Sequence, residues 1–244
     1  MKKILAIIAL LATAAVSARA EVFELKAGPF DKLSVRGDFN VIYRNVPDST
    51  GYVVYESDTN LDDKLKISVK KGKLTIKPAN IDETFSQLPT FYVYSDFLVN
   101  VATEGKGTTE LDLTAAIPTF SAKQVGNGKI IINGLNTTTF KANIETGNGA
   151  IIARGKCDTA NFKLTGTGVI QADELAANEV NCTVLGTGTI GCHPLDVLDV
   201  RGIGTSKIFY YGSPTIKKVG AATLKQLEGT PEGSEEETEI PQRQ

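Results

Sequence analysis

Histidine, cysteine and long apolar runs are scarce in this chain, and each scarcity argues against a class of protein. The sequence of 244 residues contains one histidine, His193, and three cysteines. A transition-metal site takes three or four ligands, and a hydrolase triad needs a positioned base. Cys192 and His193 are adjacent, so in a strand they would point to opposite faces. We therefore predict no metal site, no cofactor and no catalytic residue.

Basic residues are not in excess either. Lys and Arg number 26 against 28 Asp and Glu, a net charge of −2. Six of the glutamates lie in residues 228–244, and without the first twenty residues and this segment the two signs balance. Nucleic-acid-binding domains usually carry a basic footprint. We therefore predict no nucleic-acid partner, and we interpret 228–244 as an acidic disordered tail.

The first twenty residues have the pattern of a secretory signal peptide. Lys2 and Lys3 precede a short apolar run, Ile4 to Val16, and Ala18-Arg19-Ala20 fits a cleavage site. The run is too short to be a transmembrane helix, and no later segment is long and apolar enough to span a bilayer. We expect cleavage after Ala20, no transmembrane segment in the mature chain, and export to the periplasm, the outer-membrane surface or the medium.

Residues 21–100 read as a β-rich N-terminal portion. They contain short, often alternating runs of β-formers separated by turn residues, and Lys71-Gly72 joins two such runs into a predicted hairpin. The pattern leaves open whether this portion is a separate domain or the first coils of the region that follows.

Residues 101–227 are organised by a repeat. Six Gly-x-Gly triplets begin at Gly105, Gly126, Gly147, Gly166, Gly186 and Gly202, with steps of 21, 21, 19, 20 and 16 residues. Repeats of this length indicate stacked folds. Glycine suits a sharp corner because it tolerates positive φ and close backbone approach. We predict an all-β, parallel β-solenoid of about six coils, each with two strands joined at the triplet.

Alternation on both sides of the triplets predicts which side chains point into the core. Positions four and six after the first glycine form one inward column pair: Thr109/Leu111, Ile130/Ile132, Ile151/Ala153, Ile170/Ala172, Ile190/Cys192 and Ser206/Ile208. Positions two and four before it form a second: Thr103/Val101, Gln124/Ala122, Ile144/Ala142 (shifted by one residue), Leu164/Phe162, Val184/Cys182 and Val200/Leu198. This register puts Cys182 and Cys192 on opposite walls of one coil. Walls of a β core lie about 10 Å apart, so we expect no bridge between them.

Position seven after the first glycine gives an outward column of mixed polarity. It contains Asp112, Asn133, Arg154, Asp173, His193 and, in the last coil, Phe209. Aromatic residues cluster at the last coil, where Tyr210 and Tyr211 lie. We treat the first five residues of the column, together with Tyr210 and Tyr211, as candidates for glycan or protein binding. The alternatives are a solvated outer wall and aromatic side chains that cap the end of the core.

The repeated Gly-x-Gly followed by an aliphatic strand, ending in Tyr210-Tyr211-Gly212-Ser213-Pro214, resembles the head GIN domain family. The N-terminal portion fits as well, in residues 30–35, 37–41 and 58–65. The family is described as auto-transporter adhesin heads and is common in Bacteroidetes. The resemblance covers nearly all of residues 21–227 and implies a right-handed parallel β-solenoid at the cell envelope. It brings no catalytic or binding residues. One departure is Gly220-Ala221, which stands where another Gly-x-Gly would be expected.

These patterns favour a non-catalytic envelope or surface protein, an adhesin that presents a rigid solenoid face to a glycan or protein partner. A glycan-active β-helix enzyme is the first alternative, and it needs a pair of carboxylates at a defined separation. Asp112 and Asp173 lie three coils apart and do not supply one. The second alternative is an envelope scaffold that self-associates into homo-oligomers through the open ends of the solenoid.

Overall fold

The computed structural model describes residues 21–58, 60–85, 87–229 and 231. The predicted signal peptide, 1–20, lies outside the described residues, and so does most of the predicted acidic tail, namely 230 and 232–244. No helix in the described part is long and apolar enough to cross a membrane.

The described chain is nearly all-β, with 68 % of its residues in strands and 1 % in helix. The strands are β1 (Glu21–Lys26), β2 (Lys32–Arg36), β3 (Asn40–Asn45), β4 (Tyr52–Ser57), β5 (Leu65–Lys70), β6 (Lys73–Pro78), β7 (Thr90–Ser95), β8 (Asn100–Gly105), β9 (Thr108–Asp112), β10 (Ile117–Gly126), β11 (Lys129–Ile144), β12 (Ala150–Gly166), β13 (Val169–Gly186), β14 (Thr189–Ile203), β15 (Lys207–Tyr210), β16 (Thr215–Gly220) and β17 (Thr223–Gln226). A 3-10 helix covers Pro47–Ser49.

Strand pairing builds two walls around one core, and this confirms the predicted parallel β-solenoid. Wall A runs β5–β6–β2–β8–β10, continues through the second halves of β11 to β14, and ends at β16. Wall B runs β1–β4–β7–β3–β9, continues through the first halves of β11 to β14, and ends at β15 and β17. Pairing is parallel from β6 and β7 onward, and β5, β4 and β1 add antiparallel strands at the N-terminal end.

The strands of residues 21–100 continue both walls, but not in chain order. Strand β2 lies between β6 and β8, and β3 lies between β7 and β9. The buried side chains of this portion belong to the same hydrophobic core as those of the repeats. The predicted hairpin is also confirmed, because β5 and β6 pair antiparallel across Lys71 and Gly72. The N-terminal portion therefore forms the first coils of the same column.

The Gly-x-Gly corners are as tight as the sequence predicts. At Gly186 the φ angle is 135°, and a Cβ atom would lie 2.4 Å from the carbonyl oxygen of Gly166 in the neighbouring coil. In the sixth triplet the corner residue with positive φ is the second glycine, Gly204, and not the first. Its coil is therefore displaced by two residues relative to the expected register.

The predicted inward columns are buried along their whole length, with every residue at most 7 % exposed. Phe120, Phe140 and Phe162 contact one another in successive coils. The rings of Phe120 and Phe140 stack with centroids 6.2 Å apart, and Phe162 lies edge-to-face with Phe140 at 6.0 Å. In the last coil, Ile208 pairs with Ile190 and Tyr210 pairs with Cys192. Tyr210 consequently points into the core, in agreement with the alternative that aromatic side chains cap the end of the core.

Cys157, Cys182 and Cys192 are free thiols and all are buried. Cys182 and Cys192 lie on opposite walls of one coil, as the register predicts. No disulfide joins them, as expected. The neighbouring Cys192 thiol and then burial raise the pKa of the Cys182 thiol well above its ordinary value. Burial likewise raises the pKa of Cys157 to about 12.

Candidate functional site

The predicted outward column lies at a second bend of each coil, where the long strands pass from wall B to wall A. Register shifts mark this bend between Ile132 and Leu135 in β11 and between Ile152 and Gly155 in β12. A third shift falls between Ala172 and Ala176 in β13. Side chains that lie within these shifts project together from one ridge of the solenoid.

Five polar side chains on this ridge form a continuous hydrogen-bonded series, which we call the corner ladder: Arg44, Asp112, Asn133, Arg154 and Glu174. Arg44 Nη1 lies 2.7 Å from Asp112 Oδ2, and Asn133 Nδ2 donates to Asp112 Oδ1 at 2.9 Å. Arg154 Nη1 donates to Asn133 Oδ1 at 3.2 Å, and Arg154 Nε donates to Glu174 Oε2 at 3.0 Å. The ladder crosses β3, β9, β11, β12 and β13.

Three of the predicted site residues, Asp112, Asn133 and Arg154, are thus brought together. Asp173 is not part of the ladder, because β13 has one more residue than β12 at the bend, and this brings Glu174 opposite Arg154. The Asp173 carboxylate instead lies over Gly191, where a Cβ atom would be 3.2 Å from Oδ1.

Two residues of the corner ladder, Glu174 and Arg44, were not predicted from the sequence, and the reasons differ. Glu174 is next to a predicted residue, and only the extra residue in the bend of β13 distinguishes the two. Arg44 lies in β3, which reaches β9 through a pairing between segments far apart in the chain. No repeat pattern connects Arg44 with Asp112, so the sequence offers no signal for this contact.

His193 and Tyr211 extend the ridge towards the C-terminal end. Their ring centroids lie 6.1 Å apart in an edge-to-face arrangement. Both side chains are half-buried, and burial lowers the pKa of His193, so the imidazole is neutral at neutral pH. Tyr210 contributes nothing to this surface, since it lies in the core. The aromatic part of the ridge is therefore His193 with Tyr211.

The corner ladder carries no net charge. Its charges alternate along the ridge, with Arg44 beside Asp112 and Arg154 beside Glu174. The side chains of the first pair are each 38 % exposed, and those of the second are 39 % and 25 % exposed. Ion pairs this accessible typically contribute about 0.2–1 kcal/mol each. The ladder thus fixes side-chain positions more than it stabilises the fold.

The ladder has no pair of carboxylates at a catalytic separation. Asp112 and Glu174 are three strand steps apart, roughly 14 Å at the usual strand spacing. Glycosidase pairs lie about 5–9.5 Å apart. Across the described ranges there is also no cluster of three or more His, Cys, Asp or Glu that could hold a metal ion. The geometry suits recognition of hydrogen-bonding groups.

Several solved structures share this architecture. A "putative adhesin" from Bacteroides fragilis superposes with a TM-score of 0.72 at 23 % identity, covering 86 % of this chain and 98 % of that one. A "putative lipid binding protein" from Parabacteroides distasonis gives 0.70 at 22 % identity, covering 86 % and 97 %. A "putative adhesin" from Parabacteroides merdae gives 0.66 at 21 % identity, covering 86 % and 96 %. These likenesses establish the shared fold.

No curated protein matches this chain. The family model described as "Putative auto-transporter adhesin, head GIN domain" matches residues 29–214, which span both the N-terminal coils and all six Gly-x-Gly corners. The chain therefore belongs to the head GIN domain family.

Proposed function

We propose that this protein is an exported, non-catalytic adhesin that binds an uncharged glycan along the corner ladder, with Tyr211 as a stacking surface. The observation that carries the proposal is the ladder itself, in which guanidinium, carboxylate and amide groups are held in line by one another. The adhesin-type family and the adhesin names of its structural relatives support a surface or exported role.

The chemistry of the ladder favours a hydroxyl-rich ligand over a charged one. Each sugar hydroxyl both donates and accepts, and the ladder offers both kinds of partner in alternation. Arg154 uses its Nε and Nη1 groups within the ladder, whereas a guanidinium carries five N–H donors. Because the charges cancel along the ridge, a strongly charged ligand would gain little attraction.

Pre-organisation is the second support for a binding role. Side chains that are already held in place lose less rotamer freedom when a ligand binds. Arg154 is held from two sides, by Asn133 and by Glu174. Tyr211 adds an aromatic face next to the neutral His193, and aromatic faces pack well against apolar patches of sugars.

The test is a glycan-array screen of residues 21–244, followed by titration with the glycans that bind. We expect Asn133→Ala and Tyr211→Ala each to weaken binding by roughly fivefold, equivalent to about 1 kcal/mol. The matched control is Asn161→Ala on wall A, which removes a comparable strand-to-strand amide contact with Asn181. We expect this control to bind like the original chain.

Three results would overturn the proposal. Glycan cleavage in a parallel turnover assay would replace a binding role by an enzymatic one. Equal losses in Asn133→Ala and Asn161→Ala would show that the ligand contacts another face of the solenoid. If no glycan binds in the screen and a surface protein binds through Tyr211, the ladder is a protein-binding site and not a glycan-binding site.

A further inference from the structure

The two ends of the solenoid are closed in different ways. At the N-terminal end, antiparallel strands cover the column: β5 pairs with β6, β4 pairs with β7, and β1 pairs with β4. At the C-terminal end, wall A stops at β16 and wall B stops at β17. Among the described strands, β16 pairs only with β14, and β17 pairs only with β15. The C-terminal end thus keeps the parallel edge of an interrupted solenoid.

The free edge of β16 has backbone groups in position to bind another strand. All six of its residues are exposed. In parallel pairing, alternate residues direct their N–H and C=O groups to the same neighbour. Ala221 N donates to Gly202 O at 3.2 Å, and in this register the odd-numbered residues of β16 bond to β14. The N–H and C=O groups of Ile216, Lys218 and Gly220 therefore point away from the sheet.

The side chains of this edge combine apolar surface with positive charge. Ile216 continues the inward column above Leu198, and Lys218 continues it above Val200. Ile216 is 44 % exposed because no further coil covers it. An inward-pointing charge at a sheet edge is a common means of preventing edge-to-edge pairing between copies of a protein.

The outer face beside this edge is apolar as well. Leu185, Ile203 and Val219 lie close together there, and Ile203 and Val219 are 73 % and 69 % exposed. Arg201 and Lys217 border the same groove. Clusters of exposed apolar side chains with a polar rim are typical of sites where proteins bind.

We infer that β16 binds one further β-strand, supplied by an extended acidic segment of a partner protein. The partner strand would place an apolar side chain over Ile216 and a carboxylate over Lys218, so that backbone hydrogen bonds and alternate side chains are both satisfied. The charges at this end favour such a segment, since Lys207, Lys217, Lys218 and Lys225 are all exposed there. Asp199 lies nearby and is paired with Arg201.

This partner fits the edge better than a second copy of the chain does. Two β16 edges brought together would set Lys217 and Lys218 of one copy against those of the other, and like charges on adjacent strands are destabilising. A glycan would use side chains and leave the outward backbone groups of β16 without strand partners. The inferred site also lies apart from the corner ladder, so it goes beyond the proposed adhesin function.

The first experiment measures binding of two labelled, end-capped peptides by fluorescence anisotropy. The sequence TVTETG supplies a valine for Ile216 and a glutamate for Lys218, and TVTKTG replaces that glutamate by lysine. We expect the acidic peptide to bind roughly fivefold more tightly, as for an accessible ion pair of about 1 kcal/mol. Lys218→Glu should reverse the preference. Lys66→Glu, an exposed lysine on β5 at the opposite end, is the matched control and should change nothing.

The second experiment tests the backbone contribution. Lys218→Pro removes an outward N–H group that β14 does not use, so we expect lost peptide binding with little change in melting temperature. Asn133→Ala should leave peptide binding unchanged, which separates this site from the ladder.

Three results would overturn the inference. The first is equal binding of both peptides, and the second is undiminished binding to Lys218→Pro. The third is no binding at a peptide concentration of about 1 mM, which corresponds to a binding free energy of about −4 kcal/mol. It would also be overturned if the chain formed a dimer and Lys218→Pro were monomeric, because the strand bound to β16 would then come from a second copy. Binding that appears only in a chain ending at Pro231 would instead make residues 232–244 the occupant.

Discussion

Protonation of His193 makes the ridge of the solenoid sensitive to pH. It is the only histidine in the chain, and it lies between two buried residues, Cys192 and Pro194. Its ring and that of Tyr211 are arranged edge-to-face. Burial opposes the charged imidazolium and lowers its pKa. A single, half-buried imidazole beside the proposed stacking residue makes the ridge sensitive to pH.

We predict that this histidine lowers stability in mild acid. The unfolded chain binds a proton at an ordinary pKa of about 6.5, whereas the folded chain binds it only at lower pH. The free energy of unfolding should therefore be fully retained above about pH 6.5 and fall as the pH drops through the folded-state pKa. Urea unfolding between about pH 7.5 and pH 5 measures this slope. His193→Gln should show a shallower slope, and equal slopes would contradict the prediction.

At the residue scale, the sequence predicted which side chains are buried, but it predicted only some of the residues that form the ridge. The inward columns follow from strict alternation next to a glycine corner, and burial of Ile130, Ile151 and Ile170 enforces it. Alternation counted from either glycine of the sixth triplet puts Tyr210 on the inward face, in register with Cys192. Its place among the binding candidates rested only on the aromatic cluster at the last coil. Glu174 was missed because one extra residue in a bend changes which carboxylate faces Arg154.

At the scale of elements, the corners depend on glycine for two reasons. Gly186 has a φ of 135°, which residues with a side chain rarely adopt, and a Cβ atom there would lie 2.4 Å from the carbonyl oxygen of Gly166. The backbone N–H groups of Thr187 and Gly188 both donate to that oxygen at 3.1 Å. The corner therefore stacks on its neighbour through backbone contacts that leave no room for a methyl group.

We predict that Gly186→Ala lowers the free energy of unfolding by about 2–4 kcal/mol, from backbone strain and the forced shift of the neighbouring coil. Thr187→Ala is the control, because Thr187 is exposed and its backbone hydrogen bond survives the change. It should alter stability by less than about 0.5 kcal/mol. Denaturant unfolding of both variants measures the difference, and similar values for the two would argue against a steric role for the corner.

The second bend was harder to predict than the Gly-x-Gly corner. It contains glycine in β11 and β12, as Gly134 and Gly155, but Asp173 and Glu174 in β13 and Pro194 in β14. These residues share no pattern, and the number of residues in the bend varies from strand to strand. The repeat length shows that each coil must close, but the position of the bend is set by packing between neighbouring coils.

At the scale of the whole molecule, the order of strands along the column departs from the order along the chain. Periodicity correctly predicts the repeats because each coil stacks on the one before it. It gives no indication that β2 lies between β6 and β8, since that order depends on pairings between distant segments. The placement has a consequence for folding: the column can be continuous only when β6 and β8 have both docked on β2.

Leu33 is the residue at which this dependence can be measured. It lies in β2, is fully buried, and pairs with Leu74 of β6 on one side and Val101 of β8 on the other. We predict that Leu33→Ala costs about 2–5 kcal/mol and accelerates amide hydrogen exchange in both β6 and β8. The control is Ile67→Ala in β5, whose only strand partner in the described chain is β6. The faster exchange should be confined to β5 and β6, because β5 forms no strand pairing with β8. If Leu33→Ala accelerates exchange in β2 alone, then β2 does not join the N-terminal coils to the repeats, and the two parts of the column unfold independently.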